Sequence, residues 1–157
     1  MTTDVFTVIP KGAEESGEDE IKNSDFFPNL SVKNFRDSLR VDETVPFGRV
    51  KATLINAILK VNADLSELSL SNLPYTALAD VPSATIAGTS TKVWRYKSAV
   101  FNEAKADLIE RYRDFDSTQS GHDEADKLET VINDYRQKAR EHIRALLGKP
   151  PVRIALL

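Results

Sequence analysis

A regular spacing of apolar residues in the first half of the chain constrains the fold more than any other feature of the sequence. Between residues 47 and 68, apolar side chains recur every three or four positions, which is the period of one face of an α-helix. The pattern holds for about three heptads, or about 32 Å of helix. We therefore expect a long amphipathic helix with one buried side. The positions that define this side are Phe47, Val50, Leu54, Ile58, Val61, Leu65 and Leu68.

Two more helices are indicated on either side of this one. Ser31 is a good N-cap for a short helix that ends near Arg40. A longer helix is predicted from about Ser90 to Arg113, and its apolar face is wide enough to suggest that it is covered on two sides. The residues of that face are Val93, Tyr96, Val100, Ala104, Leu108 and Tyr112, with Trp94 and Phe101 on a flank.

The last predicted helix begins with Asp123 as its N-cap and ends at Gly148, since Pro150 and Pro151 forbid its continuation. Together these patterns predict an all-α fold, a small bundle of about four helices over residues 26–150. Residues 71–90 contain Pro74, Pro82 and Gly88 and lack periodicity. They read as a long loop of the kind that often contacts a partner.

Both ends of the chain are predicted to lie outside the bundle. Residues 1–25 form a flexible acidic arm with seven acids and two bases, and its charged stretch cannot offset its own ordering entropy. Residues 151–157 form an extended tail that could add as a strand to a partner. The candidate partner-binding residues at the two ends are Val5, Phe6, Val8 and Ile9, and then Val152, Arg153, Ile154, Leu156 and Leu157. For the first four, a frayed terminus remains the alternative to a segment that docks on a neighbour.

The charge distribution is asymmetric although the net charge is only -3. The chain from Tyr135 onwards carries six bases against one acid. This basic end either complements the dipole of the last helix or pairs with the acidic arm of another subunit. The overall acidity argues against a dedicated nucleic-acid reader.

We find no constellation of residues that indicates catalysis, a cofactor or a metal. The chain has no cysteine and two histidines, so zinc spacing and an activated thiol are excluded. His142 lies on the apolar face of the last helix and is expected to be buried and hydrogen-bonded. Two carboxylate pairs, Glu103 with Asp107 and Glu110 with Asp114, are expected on a solvated helix face. No apolar run is long enough to span a membrane. We therefore predict a protein that is not an enzyme and works through contacts.

The densest cluster of charged and aromatic residues is the sequence from Glu110 to Arg113. Arg111 and Arg113 could form an arginine–carboxylate pair between helices, or could contact a partner protein or a DNA phosphate. Both interpretations stay open at the level of the sequence.

Several short motifs, in the same order and at similar spacing, resemble the phage head completion protein family (the L-gene product type) of contractile-tailed phages. The resemblance extends from about residue 21 to the C-terminus. The motifs are Ile21-Lys22-Asn23, Phe26-Phe27-Pro28, Arg40 with Glu43-Thr44-Val45, Leu78-Ala79-Asp80-Val81-Pro82, Glu110-Arg111-Tyr112-Arg113 and Gly148-Lys149-Pro150.

This resemblance implies a subunit that joins the portal protein after DNA packaging, stabilises the filled head and forms the head–tail connector. It implies a ring of identical subunits, expected to be twelve-membered, that meets a tail-completion or neck protein, with packaged DNA passing through the lumen. No cofactor is implied. The expected location is the virion neck, and the host cytoplasm during assembly. The competing interpretation is a regulatory helical protein that binds DNA or another protein.

Overall fold

The computed structural model describes residues 19–113 and 122–151. This part of the chain is mostly helical, as predicted, but the all-α description needs correction because two small antiparallel sheets accompany the helices. The helices are α1 (Val32–Leu39), α2 (Phe47–Asp64), α3 (Leu68–Ser71), α4 (Thr91–Arg113) and α5 (His122–Leu146). The strands are β1 (Glu20–Ile21) paired with β2 (Leu30–Ser31), and β3 (Thr85–Ile86) paired with β4 (Thr89–Ser90).

Helix α4 is the centre of the fold. It packs against α2 on one side and α5 on another, which agrees with the wide apolar face read from its sequence. Helix α2 is antiparallel to α4, since Lys60 meets Glu103 while Asn62 meets Tyr96. Helix α5 is also antiparallel to α4, since Arg136 meets Glu110 while His142 meets Trp94. The buried stripe of α2 is as predicted, although the helix ends at Asp64. The buried face continues beyond the helix with Leu65 and Leu68 in the following turns.

The main hydrophobic core lies between α1, α2 and the first two-thirds of α4. Phe35, Leu54, Leu65 and Val100 are fully buried there. Among the residues of α5 whose burial is described, Ile143 and Leu146 join this core. Ile132 and Ala139 are buried too, but outside it. The α4–α5 hairpin therefore extends beyond the main core.

The folded region begins earlier than the predicted boundary at residue 26. Asp19 to Asp25, which the sequence placed in the arm, include strand β1, and Ile21 is part of the core. Asp19 also secures the start of α1, because its side chain accepts hydrogen bonds from the Lys33 backbone N–H (2.7 Å) and the Ser31 hydroxyl (2.6 Å).

A closed ring of three hydrogen bonds ties this N-terminal segment to α2 and α4. The Asn23 amide donates to the Tyr96 hydroxyl (2.7 Å), the hydroxyl donates to the Asn62 carbonyl oxygen (2.6 Å), and the Asn62 amide donates to the Asn23 carbonyl oxygen (2.9 Å). Phe27 stacks on the Tyr96 ring at 4.7 Å between centroids. Burial raises the pKa of Tyr96 to about 12, so the hydroxyl stays neutral and can donate.

The helix ends follow the predicted chemistry in two cases and depart from it in one. The Ser31 side chain accepts the Asn34 N–H (3.0 Å), as expected of an N-cap. Gly148 has a positive φ of 68° after α5, which is the left-handed conformation that favours glycine there. The predicted N-cap at Asp123 is wrong, because α5 already begins at His122.

Candidate partner-binding surface

The segment from Leu68 to Ser90, which the sequence predicts to be a long loop over residues 71–90, also contains short regular elements. Three apolar side chains anchor it to the core, namely those of Leu68, Leu78 and Val81. A 3-10 turn spans Leu78–Asp80, and the Leu78 N–H donates to the Phe26 carbonyl at 2.8 Å. The segment is therefore held at several points along its length. We call residues 68–90 the anchored segment.

The anchored segment ends in a tight β-hairpin. Ile86 pairs with Thr89, so only Ala87 and Gly88 lie in the turn, and both have positive φ (49° and 75°). Positive φ at both central residues defines a type I′ turn, whose twist matches that of the flanking strands. Glycine accepts this conformation readily, whereas alanine at φ 49° carries strain of about 1–2 kcal/mol.

Between these anchors, the anchored segment holds large apolar side chains in solvent. Leu70, Leu73 and Ile86 are 70%, 71% and 70% exposed, and Tyr75 is also exposed. A single exposed leucine is ordinary, but several on one stretch of chain make that stretch a candidate contact site for another protein. The exposed side chains do not hold the segment on the core, because the neighbouring Leu68, Leu78 and Val81 make those contacts.

A groove on another side of the molecule runs between α1 and α5, with α4 as its floor. Its volume is about 700 Å³. The aromatic rings of Trp94 and Phe101 form part of the floor. Asn34 and Ser38 line the α1 wall, and His142 lines the α5 wall. Trp94 is 56% exposed and meets the His142 ring edge-on at 5.3 Å between centroids.

His142 does not have the hydrogen bonds that we expected from the sequence. It is half-buried, and its Nδ1 atom is buried without a hydrogen-bond partner among the described residues. Burial lowers the pKa of His142, the positive charge of Arg95 lowers it further, and Glu141 opposes them. The imidazole is therefore held in its neutral form more strongly than a free histidine.

The carboxylates of α4 also differ from the prediction of a solvated face. Glu103 is buried, at 5% exposed, and forms an ion pair with Lys60 of α2. Asp107 and Glu110 share Arg136 of α5, with N–O distances of 3.4 and 2.5 Å. These side chains join α4 to both of its neighbours because each carboxylate faces a base on an adjacent helix.

Most of the candidate residues predicted from the sequence lie at the two ends of the chain. Val5, Phe6, Val8, Ile9, Val152, Arg153, Ile154, Leu156 and Leu157 lie outside the described residues. Arg111 is exposed in α4, while the side chain of Arg113 lies outside the described part. The arginine that pairs with Glu110 is Arg136 of α5.

The sequence analysis missed the exposed apolar residues of the anchored segment as individual candidates. Their signal was present, because Leu70 and Leu73 do not fit the helical stripe that ends at Leu68. Two comparable residues, Ile55 and Leu59, are exposed on α2 outside its buried stripe. An apolar residue that falls outside the periodic stripe is therefore a candidate for an exposed position.

Within residues 19–113 and 122–151, no group of three or more histidine, aspartate or glutamate side chains could hold a metal ion. No described helix combines the length and the apolar character needed to cross a bilayer.

A helical bundle that presents large apolar side chains to solvent on an anchored segment is suited to contact with another protein. The profile of the phage head completion protein (GPL) family matches residues 21–157, and the chain belongs to this family. Membership makes it a structural protein of phage particles that takes part in head completion.

Two curated relatives agree with this assignment. The chain is 35% identical over 145 residues to the "Head completion/stabilization protein" of Escherichia phage P2, which covers 91% of this chain and 85% of the relative. It is 29% identical over 134 residues to the "Probable head completion/stabilization protein" of Haemophilus phage HP1 (strain HP1c1), covering 82% of this chain and 86% of the relative. No solved structure matches the chain.

The motifs that carry the family resemblance have structural roles here. Asn23 is in the hydrogen-bonded ring, Phe27 stacks on Tyr96, and Leu78 and Val81 anchor the anchored segment. These motifs therefore fix how the segments outside the long helices attach to the bundle.

Proposed function

We propose that this head completion protein binds the portal vertex after DNA packaging and assembles there into the connector ring to which the tail joins. The observation that supports this proposal most directly is the exposure of Leu70, Leu73 and Ile86 on the anchored segment. Such side chains contribute most to binding when a partner removes them from water.

A ring of identical subunits needs two different contact surfaces on each copy, because its interfaces are heterologous. The anchored segment offers two separate projections, the turn with Leu70 and Leu73 and the hairpin with Ile86. Its anchoring reduces the entropy lost on binding. Weak contacts of this kind, repeated around a symmetric portal, sum to a stable assembly.

The C-terminal tail is a second proposed contact, as an added strand on a partner. The Arg144 side chain donates two hydrogen bonds to the Pro150 carbonyl, at 3.0 and 2.8 Å. This contact fixes the chain where it leaves α5. Deletion of residues 152–157 should leave the melting temperature nearly unchanged but weaken binding to the portal or the neck protein. An unfolded truncated chain would assign the tail to the core instead.

The portal contact is tested with purified portal rings and the free subunit, by measuring bound mass with mass photometry. The double variant Leu70→Ser/Leu73→Ser and the single variant Ile86→Ser each remove exposed apolar surface from the anchored segment. We expect each to weaken binding by about fivefold or more, since loss of a central contact costs over about 1 kcal/mol.

Val131→Ser is the matched control, because Val131 is an exposed apolar residue on α5, across α4 from α2. It should bind portal like the unchanged chain. Undiminished binding by both anchored-segment variants would refute the proposed surface. A bound mass that does not correspond to a closed ring would refute the connector.

A further inference from the structure

The groove between α1 and α5 is not used by the proposed function. Its α4 floor combines the apolar rings of Trp94 and Phe101 with the polar side chains of Lys97, Ser98 and Asn102. On the α1 wall, Asn34 and Ser38 add an amide and a hydroxyl group. An extended peptide needs both, because its side chains require an apolar surface and its backbone requires hydrogen-bond partners. A volume of about 700 Å³ is sufficient for a few side chains.

The folded N-terminal segment begins at the rim of this groove. Glu20 lines the groove and pairs with Ser31 in an antiparallel register. The Asp19 carbonyl accepts the Val32 N–H at 3.0 Å. Because the pairing is antiparallel, the chain traced backwards from Glu20 has the direction in which Ser31 leads into α1. Asp19 therefore lies at the start of the α1 wall.

We infer that the groove binds the apolar stretch from Val5 to Ile9 of the same chain. Nine residues, 10–18, connect this stretch to Asp19. A flexible connector of this length spans about 15–18 Å on average, compared with about 12 Å for the eight residues of α1. The connector of residues 10–18 is thus long enough to extend along α1. It places the stretch from Val5 to Ile9 at an effective concentration in the millimolar range near the groove. A second copy at micromolar concentration competes poorly with it.

The chemistry of the stretch fits the groove. In an extended conformation Phe6 and Val8 fall on one face of the stretch, and the floor of the groove offers Trp94 and Phe101 to such a face. Asp4 adjoins the stretch, and Lys97 in the groove carries the opposite charge, although the acidic Glu20 also lines the groove. The contact covers Trp94 in the free subunit, and it does not depend on portal binding by the anchored segment.

Trp94 is the single tryptophan of the chain and therefore reports occupation of the groove. We expect Phe6→Ser in the full-length chain to shift the emission of Trp94 to longer wavelength and to raise its acrylamide quenching constant about twofold, because the tethered ligand is lost. Thr7→Ser is the control at the adjacent position and should leave both values unchanged.

A second variant approaches the same contact from the groove. Ser98→Arg on the α4 floor should obstruct the groove and reproduce the effect of Phe6→Ser, with circular dichroism unchanged. Addition of a synthetic peptide of residues 1–18 to the Phe6→Ser protein should reverse the shift, whereas a scrambled peptide should not.

Two results would overturn the inference. One is identical emission and quenching of Trp94 in the unchanged chain and in Phe6→Ser. The other is quenching that decreases with rising protein concentration, because it would assign the groove to the segment of a neighbouring copy. Portal binding by mass photometry is scored separately, so failure of either proposal leaves the other standing.

Discussion

Replacement of Tyr96 by phenylalanine should destabilise the protein far more than its single missing oxygen suggests. The hydroxyl accepts from Asn23 and donates to Asn62, while the ring is fully buried and stacked on Phe27. Phenylalanine preserves the packing and the stacking. The change therefore isolates the hydrogen bonds.

The magnitude follows from which partners are left unsatisfied. The Asn23 amide retains the Pro28 carbonyl as an acceptor, at 3.0 Å, but the Asn62 carbonyl oxygen loses its donor. A buried group without its partner costs about 1–3 kcal/mol, and the partial exposure of Asn62 lets water offset some of this. We expect a loss of about 1–2 kcal/mol in the free energy of unfolding, or about 2–8 °C in melting temperature for a chain of this size.

Urea unfolding followed by circular dichroism measures this loss. Tyr75→Phe is the matched control, since Tyr75 is 38% exposed, and it should change the free energy of unfolding by less than about 0.5 kcal/mol. The double variant with Asn62→Ala should lose less than the sum of the two single variants, by at least about 0.5 kcal/mol, because the groups interact directly. Strict additivity, or a Tyr96→Phe protein as stable as the unchanged one, would refute the closed ring.

Three other expectations concern the helix contacts and the hairpin. Lys60→Met should destabilise the protein more than Glu103→Gln, by about 1 kcal/mol, because it leaves the buried Glu103 carboxylate without its base. In Glu103→Gln the remaining Lys60 is half-exposed and can be solvated by water. Equal urea midpoints for the two variants would contradict this. Since the pKa of His142 is lowered in the folded state, its contribution to stability is present above the unfolded pKa near 6.5 and is lost as pH falls through the lower folded value. His142→Gln should therefore flatten the pH dependence of the urea midpoint below about pH 6.5, and an unchanged slope there would exclude this role. Ala87→Asn should raise the free energy of unfolding by about 0.5–1 kcal/mol because asparagine tolerates the left-handed turn, while Gly88→Ala should lower it; thermal melts compare the two.

The long helices were predictable because their buried faces repeat over many residues. The stripe from Val50 to Val61 and the cap at Ser31 follow from local sequence alone. The two-residue strands were not predictable, because two residues establish no period. The burial of Glu103 was also missed, since it depends on Lys60, which is 43 positions away.

The candidate surface was predictable only in outline. The sequence directed attention to residues 71–90 as a partner-binding loop, but it gave no reason to expect that Leu78 and Val81 would hold this stretch against the core. Whether an apolar residue such as Leu73 is buried or exposed is decided by tertiary packing, which the pattern of the segment itself does not contain.

The extension of the α4–α5 hairpin beyond the main core has a consequence for local opening. Among the residues of α5 whose burial is described, Ile143 and Leu146 belong to that core, while most described residues from Asp126 to Val131 are exposed. Regions with few buried contacts open at a lower free energy than the global unfolding transition. Amide hydrogens should therefore exchange with solvent fastest in the early turns of α5 and slowest near Ile143. The hairpin would then open progressively from its loop end. A partner that binds the loop end would reduce the difference in exchange rate between the early turns of α5 and Ile143.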